Sequence, residues 1–386
     1  MQSNFKIPEN IDNTHVRYLQ SLNREEASDD YIKFADQGHR YWAFSPYFKQ
    51  WITNDCSNGG VPMVSTTTIL GNYWSPTDFK KLAAKIWNDP QNRIKMQTDI
   101  TFKYFGCNSV EDILAKWSTG STLGTKMHNH FEDMANIVEW ARNNNDSDGA
   151  LIALYKNRNV DDDYQEVRYF FEACHQLEIT NGKRKFWRTE FLMWHSSLHI
   201  AGMSDAILYD EVEDHYVIID WKRVGGGLKG DPVNGKDVSQ LSPASRGRLL
   251  PSFEALRKHD TNKYGCQLTL YKKLFEHMFQ DKKIGKIFLV VVDSKKVGKN
   301  DALKITEVPL TKYDQCINEV FEHRARDIMN LYHNEIPVKM ARKLLEFFPP
   351  LGDNEVDPQD IPSVFSDDDE VEVEDPPGKK RKVGDT

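Results

Sequence analysis

An α/β protein with a mixed central β-sheet flanked by α-helices is the fold class this sequence predicts, and three observations predict it. Ala206 to Tyr209 and Tyr216 to Ile219 are two short β-prone runs separated by the acidic segment Asp210 to Asp214, the pattern of a hairpin. Ile287 to Val292 is a continuous apolar run, the mark of a strand covered on both faces. Helical stripes lie on either side of these strands. Upstream the stripe is Met127, Phe131, Met134, Ala135, Val138 and Ala141; downstream the segments 264–280 and 313–333 are helical.

In chain order, residues 1–36 are polar, with patchy helical signal at Val16, Leu19 and Leu22, and read as an arm or irregular cap. Tyr41 to Ile52 and Val61 to Leu70 are β-rich and flank the turn formers Asn54 to Gly60, which predicts a hairpin between them. Ser75-Pro-Thr-Asp78 opens a helix running through Trp87, and Val110 to Trp117 reads as another. Residues 1–119 are thus expected to form an N-terminal cap region with a β-hairpin and helices, and residues 120–345 the core. The core opens on an amphipathic helix with Gly124-Thr125 at its start, then a helix over Asp162 to Leu177 and a strand over Lys185 to Ser196 that leads into the hairpin. Val224 to Pro251 contains Gly225-Gly-Gly227, Gly230, Pro232 and Gly235 with several basic residues and reads as a long loop, functional or disordered. A helix from Tyr264 to Gln280, the strand 287–292 and a strand over Ile305 to Leu310 follow, with Pro309 marking a sheet edge. Tyr313 to His333 is an amphipathic helix, and residues 352–386 lose apolar content and read as a disordered tail.

A chain of 386 residues can bury a sizeable core, as one large domain or two smaller ones. No apolar run approaches the roughly 18 residues of a membrane span, and the first residues lack a signal-peptide core, so no membrane partner is expected. The five cysteines (Cys56, Cys107, Cys174, Cys266, Cys316) are odd in number and scattered. That argues for a reducing, intracellular compartment and against a disulfide framework or a Cys-ligated zinc or iron–sulfur site. The net charge of −8 does not exclude nucleic acid. Residues 353–375 hold eleven acidic side chains and no Lys or Arg; together with Lys379, Lys380, Arg381, Lys382 and Asp385 they account for the whole imbalance. A formally neutral body is free to carry a local basic groove.

The hairpin carries the chemistry. With its turn centred near Val212, Asp205 falls opposite Asp220. Like charges placed opposite on paired strands are destabilising, and a divalent cation held by both carboxylates would compensate. Lys222, two residues beyond Asp220, shares its face. Two carboxylates and an ammonium aimed at one point suit metal-assisted phosphodiester hydrolysis. Hard oxygens hold Mg²⁺, and the metal lowers the pKa of a bound water and offsets phosphate charge. Lys222 would orient the attacking water or stabilise the transition state. A solvated hairpin face is the plain alternative for the Asp-Trp-Lys triplet alone. His128 and Glu132, four apart, share a helix face; alone they could be a surface His–Glu pair. The letters His128-Asn129-His130 are not an HNH motif, and His130 reads as a surface residue. Gln267 and Tyr271 also share a face, as they would on a plain core helix.

Together, Gly124-Thr125…His128…Glu132, Gly202…Asp205, Asp220-Trp221-Lys222 and Gln267…Tyr271, in this order over about residues 120–295, resemble the PD-(D/E)xK nuclease superfamily and within it the RecB-type exonuclease branch. The resemblance implies a restriction-endonuclease-like core. It implies His128, Asp205 and Asp220 as ligands of Mg²⁺ (or Mn²⁺), the Trp221 carbonyl as a further ligand, and Lys222 as the catalytic lysine. Gln267 and Tyr271 would contact DNA or shape the site, Thr125 and Arg223 would join them on the substrate side, and Glu132 would be a supporting acid. Glu190 is either a further site acid or a surface strand residue. Ser204 stands where the superfamily has proline, and the cysteine cluster of some RecB-type relatives is absent. The activity expected is a metal-dependent deoxyribonuclease, an exonuclease on double-stranded DNA ends or single strands in replication, recombination or repair. The alternatives are a structure- or sequence-specific endonuclease of the same fold, on DNA or RNA, and a non-catalytic nucleic-acid-binding protein that kept the fold.

Other candidates carry less. His195 and His199 have a spacing that suits zinc on a helix, but their segment reads as strand and loop. Asp161 to Asp163 read as a helix N-terminal signal, and Lys236, Arg246, Arg248 and Lys258 are phosphate contacts or a solvated loop. Lys379, Lys380, Arg381 and Lys382 resemble a short nuclear-import signal, so an import receptor is the expected partner and the nucleus the expected location. Ser366-Asp-Asp-Asp369 resembles an acidophilic kinase site that would modulate import. Such a signal implies a eukaryotic cell, or a large DNA virus that infects one.

Overall fold

The computed structural model describes residues 17–23, 31–35, 40–53, 62–74, 78–144, 166–225, 252–253, 256, 260–296, 298–299, 301–332 and 336–348. The predicted long loop, the acidic tail with its basic run and Ser366, Asp161 to Asp163 and Lys258 lie outside them, apart from Val224 and Gly225 at the loop's start.

The class is α/β: a mixed six-stranded sheet lies between two layers of helices. Three strands, β5 (Arg184–His195), β6 (Ile200–Asp210) and β7 (His215–Val224), run antiparallel as a meander. From β7 the chain crosses through α7 (Asp260–Met278) to β8 (Ile284–Asp293), which pairs parallel to β7, as strand–helix–strand connectivity requires. The edge strand β9 (Leu303–Glu307) is antiparallel to β8 and ends before Pro309. A two-residue strand, β4 (Val64–Ser65), pairs parallel with Ile200 and Ala201.

Side-chain alternation sorts the core into two layers. Ile207, Ile218, Ile287, Leu289 and Val291 pack with Leu268, Leu274 and Phe275 of α7 and with Ile317 and Val320 of α8 (Asp314–Tyr332). On the other face Ala206, Leu208, Val217, Ile219 and Trp221 meet Phe131 and Met134 of α5 (Val110–Asn143) and Phe170 and Ala173 of α6 (Glu166–Gln176). Both faces of β7 and β8 are therefore covered, which is why 287–292 is apolar without a break.

Three sequence expectations give way. First, α5 is one helix of 34 residues, not a helix over 110–117 and a second starting at Gly124. Glycine costs a helix interior about 1 kcal/mol relative to alanine, and Gly120 and Gly124 do not break it. Ser109 caps its start by accepting the Asp112 N–H, Glu111 and Asp112 complement the dipole there, and the buried Phe131 to Ala141 stripe holds its far half. The boundary expected at 119/120 falls inside this helix. Second, Tyr41 to Ile52 is itself a hairpin of β2 (Arg40–Ser45) and β3 (Gln50–Thr53), turning at Pro46 to Lys49. Val61 to Leu70 supplies only β4 before Ser65 caps α2 (Thr66–Gly71), its side chain accepting from the Thr68 N–H. Third, the described part of the supposed arm is regular structure: α1 (Tyr18–Asn23) buries Leu19, and β1 (Ile32–Ala35) pairs with β2 to complete a three-stranded sheet. That sheet packs by Ile32, Tyr41, Ala43 and Ile52 against the main core. Helices α3 (Phe79–Asn88) and α4 (Pro90–Thr98) cover the N-terminal part of α5 through Ala83, Met96 and Ile113, and α9 (Val338–Leu345) packs beside α8.

No described helix is long and apolar enough to cross a membrane. The described cysteines are buried and form no disulfide among themselves.

Candidate active site

The ladder between β6 and β7 pairs Asp210 with His215 and runs to Ala206 with Ile219. The next pair in that register is Asp205 with Asp220, and there the strands part. Since β5 occupies one whole edge of β6, β4 and β7 must share the other, β4 at residues 200–201 and β7 from 206 on. Residues 202–205 face the fork between them.

The fork is polar and enclosed. Asp205 Oδ2 accepts the Trp221 N–H at 2.7 Å and lies 3.4 Å from His128 Nδ1, which arrives from α5. A residue's N–H and C=O leave a strand on the same side, so the Trp221 carbonyl also points into the fork. Its ring is buried edge-on against Phe131, centroids 5.2 Å apart, which fixes the backbone that carries both groups. Asp220 is buried, and Lys222 Nζ lies 2.7 Å from its Oδ2 and 5.4 Å from the Tyr264 ring centroid. That contact is a buried ion pair, in which the Lys222 ammonium partners Asp220 Oδ2.

Electrostatics separate the two carboxyls. Burial alone would raise Asp205, but the His128 and Lys222 charges and the Trp221 N–H outweigh it and hold it well below the usual range. Burial pushes Asp220 up, Lys222 opposes this, and the Asp205 charge adds to it, so it settles at about 6. Burial opposes the Lys222 ammonium, yet Asp220 and Asp205 together raise it far above the ordinary lysine value. His128 is likewise raised, because Asp205 overcomes its burial. The cluster is one secure cation between two carboxylates, of which only one is comfortably ionised.

The fork lies at the wall of a cleft of about 1020 Å³. Gly120, Gly124, Thr125, His128 and Glu132 of α5 form one side; Glu190, Met203, Asp205, Lys222 and Arg223 form the other. Glu132 accepts from Gln20 Nε2 of α1. Glu190 has a φ of 45°, a left-handed backbone that costs a non-glycine residue about 1 kcal/mol or more. Gln267 and Tyr271 lie on α7 and are not among the residues that line the cleft. Gln267 Nε2 donates to the Tyr271 oxygen at 2.7 Å, and Tyr271 is buried near Asp220, which with burial raises its phenol. Tyr271 also explains Gly202: a Cβ there would stand 2.6 Å from Tyr271 Cε1 and 2.6 Å from Thr66 Cγ2. We expect Gly202→Ala to cost about 1–3 kcal/mol by overpacking, read as a lower urea midpoint; an unchanged midpoint would show that Tyr271 yields freely.

Arg17, Gln20 and Asp133 also line the cleft and were missed in the sequence. Burial pushes Asp133 up to about 6 against the pull of Arg17. The only signal for α1 was its spacing of Val16, Leu19 and Leu22. His195 and His199 are no helical pair. His195 ends β5, accepts from the Leu198 N–H and stacks on His277 at 3.7 Å, and burial drives its pKa well below the usual histidine value; His199 follows in the turn. His130 is half-buried on α5, outside the cleft lining.

Among the described residues, no three His, Cys, Asp or Glu side chains already converge as a metal cage. Lys222 lies against Asp220, and the Trp221 N–H donates to Asp205. The donor set of two carboxylates, a backbone carbonyl and an imidazole nonetheless suits a divalent cation. No family model matches this chain, and no curated protein matches its sequence.

Proposed function

We propose that this protein is a Mg²⁺-dependent deoxyribonuclease with a restriction-endonuclease-like core, acting as an exonuclease on DNA ends or single strands. The observation that carries the reading is the register: it runs to the pair beside Asp205 and Asp220, and at the fork there His128 meets Asp205 and Lys222 meets Asp220, with Asp205, Lys222 and His128 on the wall of a cleft. Asp205, Asp220, His128 and the Trp221 carbonyl would hold the cation. When bound, it supplies a water of lowered pKa and offsets charge developing on the phosphate. Lys222 stays protonated at neutral pH, so its role is a fixed positive charge beside the reacting phosphate and not a general base. Trp221 donates its N–H to Asp205 and so orients that carboxylate. Arg17 and Arg223 line the same cleft and would take flanking phosphates. Glu132 lies one helical turn from His128 and supports that wall through Gln20.

The test is cleavage of linear, nicked and closed circular DNA with Mg²⁺ or Mn²⁺. Degradation of linear DNA alone is expected; closed circles cut at the same rate would replace exonuclease by endonuclease, and no cleavage would remove the proposal.

Metal binding should release protons. Asp220 lies near 6 and His128 is raised above its ordinary value, whereas both must be deprotonated to bind a cation. Mg²⁺ affinity should therefore be full well above neutrality and fall as pH drops through about 6, by up to about tenfold per pH unit for each proton displaced. Calorimetry in two buffers of different ionisation enthalpy measures the protons released. None released near pH 6 would remove His128 and Asp220 as ligands.

A further inference from the structure

The three-stranded sheet has an outer face for which the fold has no use. Alternation along β2 buries Tyr41, Ala43 and Ser45 and turns Arg40, Trp42 and Phe44 outward. The ladders set Lys33 beside Trp42 and Trp51 beside Phe44. Trp51 is 41 % exposed, an unusual position for an indole. Lys33 Nζ stands 4.3 Å from its ring centroid, and Phe44 meets it edge-on at 5.9 Å. Lys33, Phe34, Trp42 and Trp51 line a second pocket of about 440 Å³, and Phe34 also lines the large cleft. Phe34, paired with Tyr41 across β1 and β2, is thus the ring the two hollows share. Behind them Tyr41 feels the charge of Glu190 in the cleft, which together with burial pushes its phenol up to about 12.

The charge on this sheet has one sign. Its described residues include Lys33, Arg40 and Lys49 and no Asp or Glu. Exposed rings interleaved with cations fit a chain that offers flat apolar faces and negative charge in alternation. Single-stranded nucleic acid is such a chain, because its bases are free to stack while its phosphates seek ammonium and guanidinium groups. A duplex hides its base faces in its own stack and would leave the indoles without partners.

We propose that this face binds single-stranded nucleic acid, with bases stacked on Trp51 and Trp42 and phosphates held by Lys33, Arg40 and Lys49, and that the strand passes Phe34 into the cleft. The proposal rests on the nuclease reading for its purpose, not for its chemistry.

The test is fluorescence polarisation with a labelled oligothymidylate of about 16 nucleotides, in EDTA so that nothing is cleaved. Trp51→Ala and Trp42→Ala should each weaken binding about tenfold or more, while Trp51→Phe should restore most of it. Lys33→Ala should flatten the salt dependence, since each phosphate contact adds about −0.7 to the slope for a single strand. Affinity for a duplex of equal length should not change in Trp51→Ala. Unchanged oligonucleotide affinity in Trp51→Ala and Lys33→Ala proteins with wild-type circular dichroism would overturn the assignment. So would phosphatidylserine vesicles that bind the wild type and not Trp51→Ala while the oligonucleotide binds both. Wild type that binds the strand through these residues but cleaves nothing with Mg²⁺ keeps this site and removes the nuclease reading. Wild type that cleaves, with Trp51→Ala binding as wild type does, has the opposite meaning.

Discussion

Lys222→Ala is expected to lower kcat for metal-dependent DNA cleavage by about 10²–10⁴-fold, the range for losing one fixed charge or proton-handling group at a phosphoryl centre. Its ammonium is the cation between Asp220, 2.7 Å away, and Asp205, and both carboxylates hold its proton in place. Lys222→Arg should not rescue the rate. A planar guanidinium cannot occupy the point position of an ammonium between two buried carboxylates. Asp220→Ala should be equally inactive, by losing a ligand and not a charge donor. The two are separated by metal affinity, which Asp220→Ala loses and Lys222→Ala keeps. Stability gives an independent readout. Without Lys222 the Asp220 carboxyl is raised further above its unfolded value, so the variant bears a penalty above that raised pKa and sheds it as pH falls below. Its Tm deficit should be larger at pH 8 than at pH 5. Cleavage at the wild-type rate by a folded Lys222→Ala protein would remove the site from the reaction altogether.

The site's floor was legible because a hairpin obeys simple arithmetic. Acidic turn formers between two apolar runs fix a centre, and positions equidistant from it must face each other; the observed ladder keeps that register to the residue pair next to Asp205 and Asp220. The strand 284–293 and the helices 260–278 and 314–332 were legible for a related reason, since each buries a long, periodic surface. What resisted reading was held by distant partners. Nothing local shows that Ile32 to Ala35 finds β2, or that Leu19 enters the core while its N–H donates to Asn136. Gly120 and Gly124 look like breaks because propensity counts their cost and not the packing that overrides it. The consequence is functional: the wall of the cleft opposite Lys222 is a smooth glycine-bearing helix surface, where an added Cβ would meet nothing within 4 Å.

Asp210→Ala should produce the largest loss of stability, about 3–5 kcal/mol, because it strands a buried charge. Asp210 is fully buried and does two things with its two oxygens. Oδ2 accepts from Arg184 Nε at 2.8 Å, tying β6 to β5, and Oδ1 accepts the Val212 and Glu213 N–H groups at 3.2 and 3.1 Å, closing the turn. Remove it, and Arg184 keeps Glu178, whose side chain is 40 % exposed, the Leu177 carbonyl and the Phe288 ring. Asp210→Asn retains an acceptor for the turn and should lose less. The pH dependence carries the sign of the pair. Burial would raise Asp210, but the turn N–H groups and Arg184 depress it below its unfolded value. The stability it adds is therefore present above about pH 4 and lost as pH falls through the depressed value, so urea midpoints of wild type and variant should converge in acid. The proposed reaction is linked to this pair through the register. A slip of one residue moves every side chain to the opposite face, which would take Asp205 away from Asp220 and Lys222. Folded Asp210→Ala, assayed in the cold with saturating Mg²⁺, should thus lose activity ahead of its bulk unfolding. If activity and unfolding coincide, alternation along the strands is enough to hold the register and the buried pair serves stability alone.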